Sequence, residues 1–430
     1  MNSSTVDFNS VFGEFFNDSE TPAPSPVTEI SSTLKACPAW FRALAKEAYI
    51  NDEPSFIDAS TGNPIPGIYL NVPNDVYHAI NAISSSHIKT FADSPYKYQQ
   101  VYLIGKEKQI NPKSREVGTI SHEVILEGIE VYQSRRFTLL SAEDYPKDLH
   151  SFADIKDECA RLGLSVSGNT FELSERLRSI NEAQKVFDHR QQDWLALNMG
   201  EDFVAAARQT LLNKGEWPNS AEIIKLSQIA SQNTSLPTPR KMPVTKEIHN
   251  MAMGMVEAVE RNTYAKKLFK NGIPEVTFIT LDPDTEMLTK CKVDWLSFID
   301  DCAVPLDLKS ARSANPYMAS YQFAELRYDL QAAFYQRVMK PHLEEKMIKR
   351  LFPFVTIETG QFNICEIIEL DASDWEIAEQ DVFTLLTGMK AASANDIYQG
   401  YTESGRSVIK LGMRKSADAA VRPMCTNAEG

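Results

Sequence analysis

The sequence lacks the features that mark several common protein classes. No stretch of its 430 residues approaches the roughly 18 uninterrupted apolar residues that a membrane-spanning helix needs. The six cysteines are scattered, with no pair spaced closely enough for a zinc knuckle or a compact iron–sulfur run. No secretory signal is recognisable at the N-terminus, so we expect reduced thiols and a cytoplasmic protein with no membrane partner.

An excess of basic residues is also missing. The chain has 44 Lys and Arg against 58 Asp and Glu, which gives a formal net charge of −14. This excludes a histone-like polycation, although a locally basic groove on an acidic body can still bind DNA. Hydrophobic residues make up 43% and charged residues 24%, as in an ordinary globular protein. The length indicates two or three structural units.

Changes of composition and pattern divide the chain into segments. The predicted segments are an acidic, partly disordered N-terminal leader with a short helical segment (1–66), the first part of the main domain (67–150), a helical insertion (151–240), the rest of the main domain (241–410) and a flexible tail (411–430).

The order of predicted elements indicates the fold class. Strands at 275–281, 288–299 and 303–309 precede one long helix from Asn315 to about Met339, then two more strands and a helix from Ser373 to about Lys390. This order predicts an α/β (α+β) core with a central mixed sheet flanked by helices and interrupted by a helical insertion.

The most informative stretch is a predicted hairpin. If Asp300 and Asp301 form its two-residue turn, Asp294 and Asp307 lie directly opposite each other on the two strands, about 4.5–5.5 Å apart at Cβ. Lys309 is two residues beyond Asp307 and projects from the same face.

Two facing carboxylates repel each other unless something offsets their charge. A divalent cation between Asp294 and Asp307 would do so, and oxygen ligands at low count suit Mg²⁺ or Mn²⁺. Lys309 could then activate an attacking water or neutralise developing phosphate charge. The alternative is a surface hairpin with an Asp pair and a salt-bridging lysine.

Two other sites add candidates. His122 lies on a predicted helix, four residues after Gly118, and could supply an imidazole ligand. Gln331 and Tyr335 lie at i and i+4 on the long helix and so share one face. The alternatives are a structural histidine and packing at the edge of the core.

These candidates occur in a recognisable order. The order is Gly-x-x-x-His at 118–122, Val-Asp-Trp-Leu at 293–296, Asp-x-Lys at 307–309 and Gln-x-x-x-Tyr at 331–335. It resembles the PD-(D/E)XK nuclease superfamily in its RecB-like branch and, more narrowly, the RecE-type exonuclease (exonuclease VIII). Segments 67–98, 126–128, 274–278 and 328–335 are similar to the same family.

The resemblance implies a role for each candidate. His122, Asp294 and Asp307 would hold the metal, together with the backbone carbonyl of Leu308. Lys309 would orient or activate the nucleophilic water. Gln331 and Tyr335 would support the site and the DNA strand, and Glu275 would lie behind the metal ligands or bind a second ion. The sequence departs from the family pattern at Asp307, where Glu is common.

The resemblance also implies an activity. It implies an Mg²⁺-dependent exodeoxyribonuclease, with Mn²⁺ a possible substitute, that degrades linear double-stranded DNA 5′ to 3′ and exposes 3′ single strands for recombination. A RecT-like annealing protein, a ring-shaped homo-oligomer (a tetramer) and a phage or prophage origin would accompany it. Two alternatives stay open: a repair or defence nuclease of the same superfamily acting on single strands or endonucleolytically, and a non-catalytic DNA-binding or regulatory protein.

Within the insertion, 152–178 resembles a SAP module, which is a small helix–link–helix DNA-binding unit. The residues predicted to pack its two helices together are Ile155, Cys159, Leu162, Leu164, Leu173 and Leu177. Lys156, Arg161 and Arg176 would contact DNA phosphates. An ordinary helical hairpin is the alternative.

Overall fold

The computed structural model describes residues 37–106, 112–180, 186–211, 217–232, 236–359 and 362–402. The short helical segment predicted within the first 30 residues and the predicted tail at 411–430 lie outside these ranges.

The described strands are β1 (Ala45–Glu47), β2 (Tyr49–Ile50), β3 (Glu53–Pro54), β4 (Gly67–Leu70), β5 (Arg136–Thr138), β6 (Met242–Val244), β7 (Gly272–Leu281), β8 (Leu288–Ile299), β9 (Cys302–Ala311), β10 (Phe354–Glu358) and β11 (Cys365–Ile368).

The described α-helices are α1 (Ala39–Leu44), α2 (Asn74–Ala79), α3 (Ser85–Asp93), α4 (Pro95–Tyr98), α5 (Pro112–His122), α6 (Ile129–Arg135), α7 (Phe152–Arg161), α8 (Thr170–Ile180), α9 (Phe187–Met199), α10 (Glu201–Leu211), α11 (Ser220–Gln232), α12 (Lys246–Arg261), α13 (Thr263–Leu268), α14 (Pro316–Glu325), α15 (Tyr328–Leu343) and α16 (Ala372–Asn395). Among the described helices none is long and apolar enough to span a bilayer.

The chain forms two compact units. The first comprises Met1–Pro112 and Gly254–Gly430, and the second is Lys113–Met253. The first contains a seven-stranded sheet in the order β1-β4-β7-β8-β9-β10-β11. β1 with β4 and β9 with β10 pair in parallel, and the other neighbours pair antiparallel. The predicted mixed sheet flanked by helices is confirmed.

The hairpin of β8 and β9 has the predicted register. Ile299 pairs with Cys302, and the ladder continues to Trp295 and Leu306. Asp300 and Asp301 between the strands have φ of 48° and 66°. Positive φ at both central residues is the geometry of a type I′ turn, which matches the twist of the flanking strands.

The single long helix predicted from Asn315 to about Met339 is wrong, because the chain forms α14 and α15 there. Arg327, at the break, is in the left-handed region with φ of 49°. Its guanidinium is held by Asp329 at 3.0 Å and Asp381 at 2.7 Å. Asn315 caps the N-terminus of α14, since its Oδ1 accepts the Tyr317 N–H at 3.0 Å.

Helix α15 lies in the core of the first unit. Leu330, Phe334, Val338 and Met339 are fully buried and belong to one hydrophobic cluster with side chains of β7 and β8. This packing fixes the rotation of α15 about its axis, and therefore the face on which its polar residues lie.

The ordered fold begins inside the segment predicted as a leader. Helix α1 buries Phe41 completely, with its ring centroid 4.9 Å from that of Phe298. Strand β1 follows it and forms one edge of the main sheet. Residues 37–66 are therefore part of the first unit, because their apolar side chains are needed to cover the sheet.

The second unit extends beyond the predicted insertion of 151–240 on both sides. It includes a helical hairpin of α7 and α8, in which Ile155, Cys159, Leu173 and Leu177 are buried together. Leu162 and Leu164 pack against this cluster. The apolar positions predicted for the helix–link–helix segment therefore do pack as one small core.

Candidate active site

Two aspartates lie where the antiparallel ladder of β8 and β9 ends. Its last paired residues are Trp295 and Leu306, so Asp294 and Asp307 are the next residue of each strand. Beyond this point β9 remains paired with β10, while Oδ2 of Asp294 accepts the backbone N–H of Leu308 at 2.8 Å. The two predicted carboxylates therefore lie on neighbouring strands at the point where the strands stop pairing.

Lys309 lies beside this pair. Its Nζ is 2.5 Å from Oδ2 of Asp307, and its side chain is 18% exposed. Burial is the largest single effect and disfavours the charged form of Lys309, but Asp307, Tyr328 and Asp294 together outweigh it and raise the pKa of the ammonium above its ordinary value. Lys309 is therefore a cation held next to the carboxylate, as the sequence predicts.

The other oxygen of Asp307 is held by α15. Nε2 of Gln331 donates to Oδ1 of Asp307 at 2.5 Å, and Oε1 of Gln331 accepts from Nζ of Lys89 at 3.0 Å. The amide oxygen thus faces a donor and the amide nitrogen faces an acceptor, so only one orientation of the amide satisfies both contacts. Gln331 links Lys89 to the carboxylate pair.

Two tyrosines of α15 complete the site. The ring centroid of Tyr328 lies 4.8 Å from Nζ of Lys89 and 4.6 Å from Nζ of Lys309. Tyr335 lies one turn after Gln331 and is buried. Burial raises the pKa of Tyr335 well above its ordinary value, and the charge of Asp307 acts in the same direction. Tyr335 therefore keeps its proton and can donate it in a hydrogen bond.

The carboxylate pair carries an electrostatic penalty. Burial, followed by the negative charge of Asp307, raises the pKa of Asp294 well above its ordinary value. The Lys309 ammonium and the Leu308 N–H act in the opposite direction but do not compensate for it. Without a further cation, the pair retains a proton to higher pH than two separate carboxylates would.

The pair fits the donor chemistry of a divalent cation. Oδ2 of Asp307 is buried, and it accepts no hydrogen bond of regular geometry from the described residues although the Lys309 ammonium contacts it. A buried carboxylate oxygen that lacks a regular hydrogen bond and lies beside a second carboxylate is a suitable ligand for Mg²⁺ or Mn²⁺, because these ions need few protein ligands. No group of three or more His, Cys, Asp and Glu side chains suited to a metal occurs in the described parts of the chain.

Glu275 occupies the next strand of the same sheet. It lies between the pairs Pro274–Trp295 and Val276–Val293, which puts it across from Asp294. Its φ is 55°, and its carboxylate is 2.6 Å from Nζ of Lys292. The charge of Glu275 contributes to the raised pKa of Asp294. Glu275 is thus near the pair, although its own carboxylate is neutralised by Lys292.

The sequence also matches a known family. A model described as a PDDEXK-like domain of unknown function (DUF3799) matches residues 183–405, just over half of the chain. The chain belongs to this family. No curated protein matches it significantly. A solved structure described as a candidate exonuclease from Eubacterium rectale aligns with a TM-score of 0.40 and 12% identity, over 82% of this chain and 100% of that one.

In this member of the DUF3799 family, the fold brings together the two aspartates and the lysine that the sequence analysis compared with the PD-(D/E)XK pattern. The assignment of Asp294 to the first acidic position of the pattern stays a prediction. The assignment of Asp307 and Lys309 to its second acidic residue and lysine also stays a prediction, although the two side chains are in contact. The PD-(D/E)XK superfamily predicted from the sequence is confirmed by the family and by the mixed sheet.

The second unit contains His122, which is the last residue of α5. Its assignment as a metal ligand stays a prediction.

The predicted DNA-contacting residues also lie in the second unit. Lys156 is exposed. The guanidinium of Arg161 is held by Glu158 at 2.6 Å, and that of Arg176 donates to the carbonyls of Ser165 and Ser167. Two of the three cations are thus engaged within their own hairpin, and the DNA contacts stay a prediction.

The sequence analysis did not identify Lys89 or Tyr328 as residues of the site. Lys89 lies on α3, which begins with a capping box formed by Ser84 and His87. It is 242 residues from Gln331 in the chain, so no local pattern connects the two. The one sequence signal for Lys89 was its position between the apolar residues Ile88 and Phe91, which the structure shows to be buried. A lysine at such a position is a candidate for a functional role.

Proposed function

We propose that the protein is a metal-dependent DNA exonuclease of RecE type. The observation that supports the proposal is the alignment of Asp294, Asp307 and Lys309 at the end of the β8–β9 ladder, within a PDDEXK-like family. Two carboxylates and a lysine in one place are the groups that phosphodiester hydrolysis by a metal-positioned water requires.

The proposed metal ligands are Asp294, Asp307 and the Leu308 carbonyl. His122 is proposed as a further ligand on the resemblance alone. Bound there, Mg²⁺ would lower the pKa of a water and stabilise the charge that develops on the phosphate. Mn²⁺ is the expected substitute. The protein's part is to hold two carboxylates close together against their repulsion, as the Leu308 N–H and the Gln331 amide do.

Each remaining residue of the site has a separate proposed task. Lys309 is charged and adjacent to Asp307, so it orients the nucleophilic water and offsets negative charge on the phosphate. Gln331 fixes the Asp307 carboxylate and does not itself react. Tyr335 keeps its proton and supports the same carboxylates. Glu275 holds Lys292 at the border of the site.

The proposed substrate is linear double-stranded DNA, degraded 5′ to 3′ to expose a 3′ single strand for recombination. This direction, a RecT-like annealing partner, a ring-shaped homo-oligomer and a phage or prophage origin all come from the resemblance to RecE-type enzymes. The site geometry supports hydrolysis of a phosphodiester and is neutral between the two strand directions.

The deciding experiment is digestion of blunt linear duplex DNA labelled at either 5′ end or 3′ end, with Mg²⁺ or with EDTA, resolved by strand. We expect Mg²⁺-dependent loss of the 5′ label with the complementary strand intact. Nicked circular and single-stranded DNA serve as competing substrates. Cleavage of the circle or a preference for single strands would favour a repair or defence nuclease, and no hydrolysis with retained DNA binding would favour a non-catalytic protein.

A further inference from the structure

The candidate site contains a second lysine with no acidic partner. Lys89 donates to the neutral amide of Gln331 at 3.0 Å and lies over the ring of Tyr328 at 4.8 Å. It forms no salt bridge with a carboxylate of the described residues, although it is partly buried. Partial burial of an ammonium without a counter-ion is unfavourable unless an anion is supplied from outside.

The acidic groups near Lys89 are committed to other cations. Asp307 contacts Lys309 at 2.5 Å, and Asp329 contacts Arg327 at 3.0 Å. Burial first, and then the charge of Lys309, lower the pKa of Lys89 to about 7. The charges of Asp307 and Asp329 act in the opposite direction but do not compensate for the burial, so the charged form of Lys89 is disfavoured until a further negative group approaches it.

Lys89 also lies in the right place for the substrate of the proposed reaction. Its ammonium and that of Lys309 lie close to the same Tyr328 ring, and Gln331 connects it to Asp307. A divalent cation on the carboxylate pair would cancel the negative charge of Asp294 and Asp307. The site would then have a surplus of positive charge directed at a phosphate.

We infer that Lys89 is a phosphate-binding residue, whose ammonium holds a non-bridging oxygen of the DNA phosphate in the site or of its immediate neighbour. The inference rests on the proposed function, since it assigns a contact to the substrate of that reaction. The ammonium keeps its hydrogen bond to Gln331 and uses its remaining donors for the phosphate.

The test is the salt dependence of DNA binding with Ca²⁺ in place of Mg²⁺, which allows binding to be measured without turnover. Fluorescence anisotropy of a labelled blunt duplex gives Kd at several salt concentrations. We expect Lys89→Gln to weaken binding about tenfold and to reduce the slope of log K against log salt by about 1, because one phosphate contact is lost. Lys89→Arg should restore most of the affinity and most of the salt dependence.

The matched control is Lys97→Gln. Lys97 follows Lys89 closely in the chain, is half exposed and pairs with Asp93 at 2.6 Å. Lys97→Gln should leave the Kd for DNA and the slope of log K against log salt unchanged. Circular dichroism and thermal melting check that each variant folds, and Lys89→Arg provides a second measurement should Lys89→Gln not fold.

The possible failures are distinguishable. A wild-type protein that hydrolyses DNA, with Lys89→Gln folded and unchanged in Kd and slope, would overturn the role of Lys89 alone. Loss of DNA binding in Lys89→Arg with its fold intact would also overturn it, because the charge is retained. A wild-type protein that does not bind DNA would overturn the proposed function and this inference together.

Discussion

Oδ2 of Asp294 accepts the backbone N–H of Leu308 at 2.8 Å, just beyond the last pair of the β8–β9 ladder. A side chain thus takes the place of the next ladder hydrogen bond, and it anchors one carboxylate to the strand that carries the other. The neighbouring strand supplies Asp307 and Lys309 from the same face. The backbone of the sheet therefore holds the two carboxylates in place, although their mutual repulsion destabilises this arrangement.

Asp294→Asn separates the anchoring role of Asp294 from its charge. The asparagine oxygen can still accept the Leu308 N–H, and the repulsion with Asp307 is removed. We expect a folded protein whose Tm in EDTA is equal to or slightly above that of the wild type, with Mg²⁺-dependent hydrolysis reduced at least about 100-fold. Asp294→Ala should lose both the activity and some stability. Near-normal activity in Asp294→Asn would contradict the assigned role.

Asp307→Ala and Lys309→Ala should each abolish Mg²⁺-dependent hydrolysis, with a loss of at least about 100-fold. DNA binding should largely survive, because most phosphate contacts of a nuclease lie outside the reacting centre. Strand-resolved digestion and anisotropy in Ca²⁺ measure the two properties separately. The control is Lys346→Ala, which removes a lysine that contacts Asp301 at the hairpin turn of the same strands. Full activity in both variants would remove the proposed mechanism.

The affinity of the metal should rise with pH. The pKa of Asp294 is raised, so its protonated form persists to higher pH and competes with the metal there. Affinity for Mn²⁺ should therefore fall as the pH drops and level off above the raised pKa, with proton release on binding. Calorimetry at a series of pH values, in buffers of different ionisation enthalpy, measures both the affinity and the proton release. In Asp294→Asn the pH dependence that arises from Asp294 should vanish. A wild-type affinity for Mn²⁺ that does not change with pH would contradict the prediction.

Local sequence patterns were sufficient for the sheet and for the carboxylate pair. The positions of Asp300 and Asp301 predicted a two-residue turn. Such a turn determines which residues of the two strands that it joins are paired. The spacing of Gln331 and Tyr335 correctly placed both on one face of α15. These predictions succeeded because each depended on residues that are near in the chain.

The predictions that failed depended on contacts that are distant in the chain. The break at Arg327 is stabilised by Asp381, which lies 54 residues further on, so helical periodicity alone could not reveal it. Phe41 packs against Phe298, which is distant in the chain, so the sequence did not show that residues of the predicted leader pack against the sheet. Lys89 was missed for the same reason.

Gln331 is a positioning residue, and its removal should change kcat more than KM. In Gln331→Ala the Asp307 carboxylate loses its hydrogen bond, so we expect kcat to fall about 10- to 100-fold with KM within about threefold. Gln331→Asn is too short to reach Asp307 and should not restore kcat. The control is Gln336→Ala, since Gln336 lies on the same helix but donates to the carbonyls of Ile348 and Leu351, which follow that helix in the chain. It should lower Tm and leave kcat intact.

DNA binding should weaken as the pH rises through about 7, because Lys89 has a pKa of about 7 in the free protein. The charged groups that act on it are Lys309, Asp307, Asp329 and Arg327. A bound phosphate favours the charged ammonium, so above pH 7 binding requires uptake of a proton, and affinity falls by up to about tenfold per pH unit. Lys89→Arg stays charged throughout this range and should lack the fall. Identical pH profiles for the wild type and Lys89→Arg, measured by anisotropy in Ca²⁺, would show that another group is responsible.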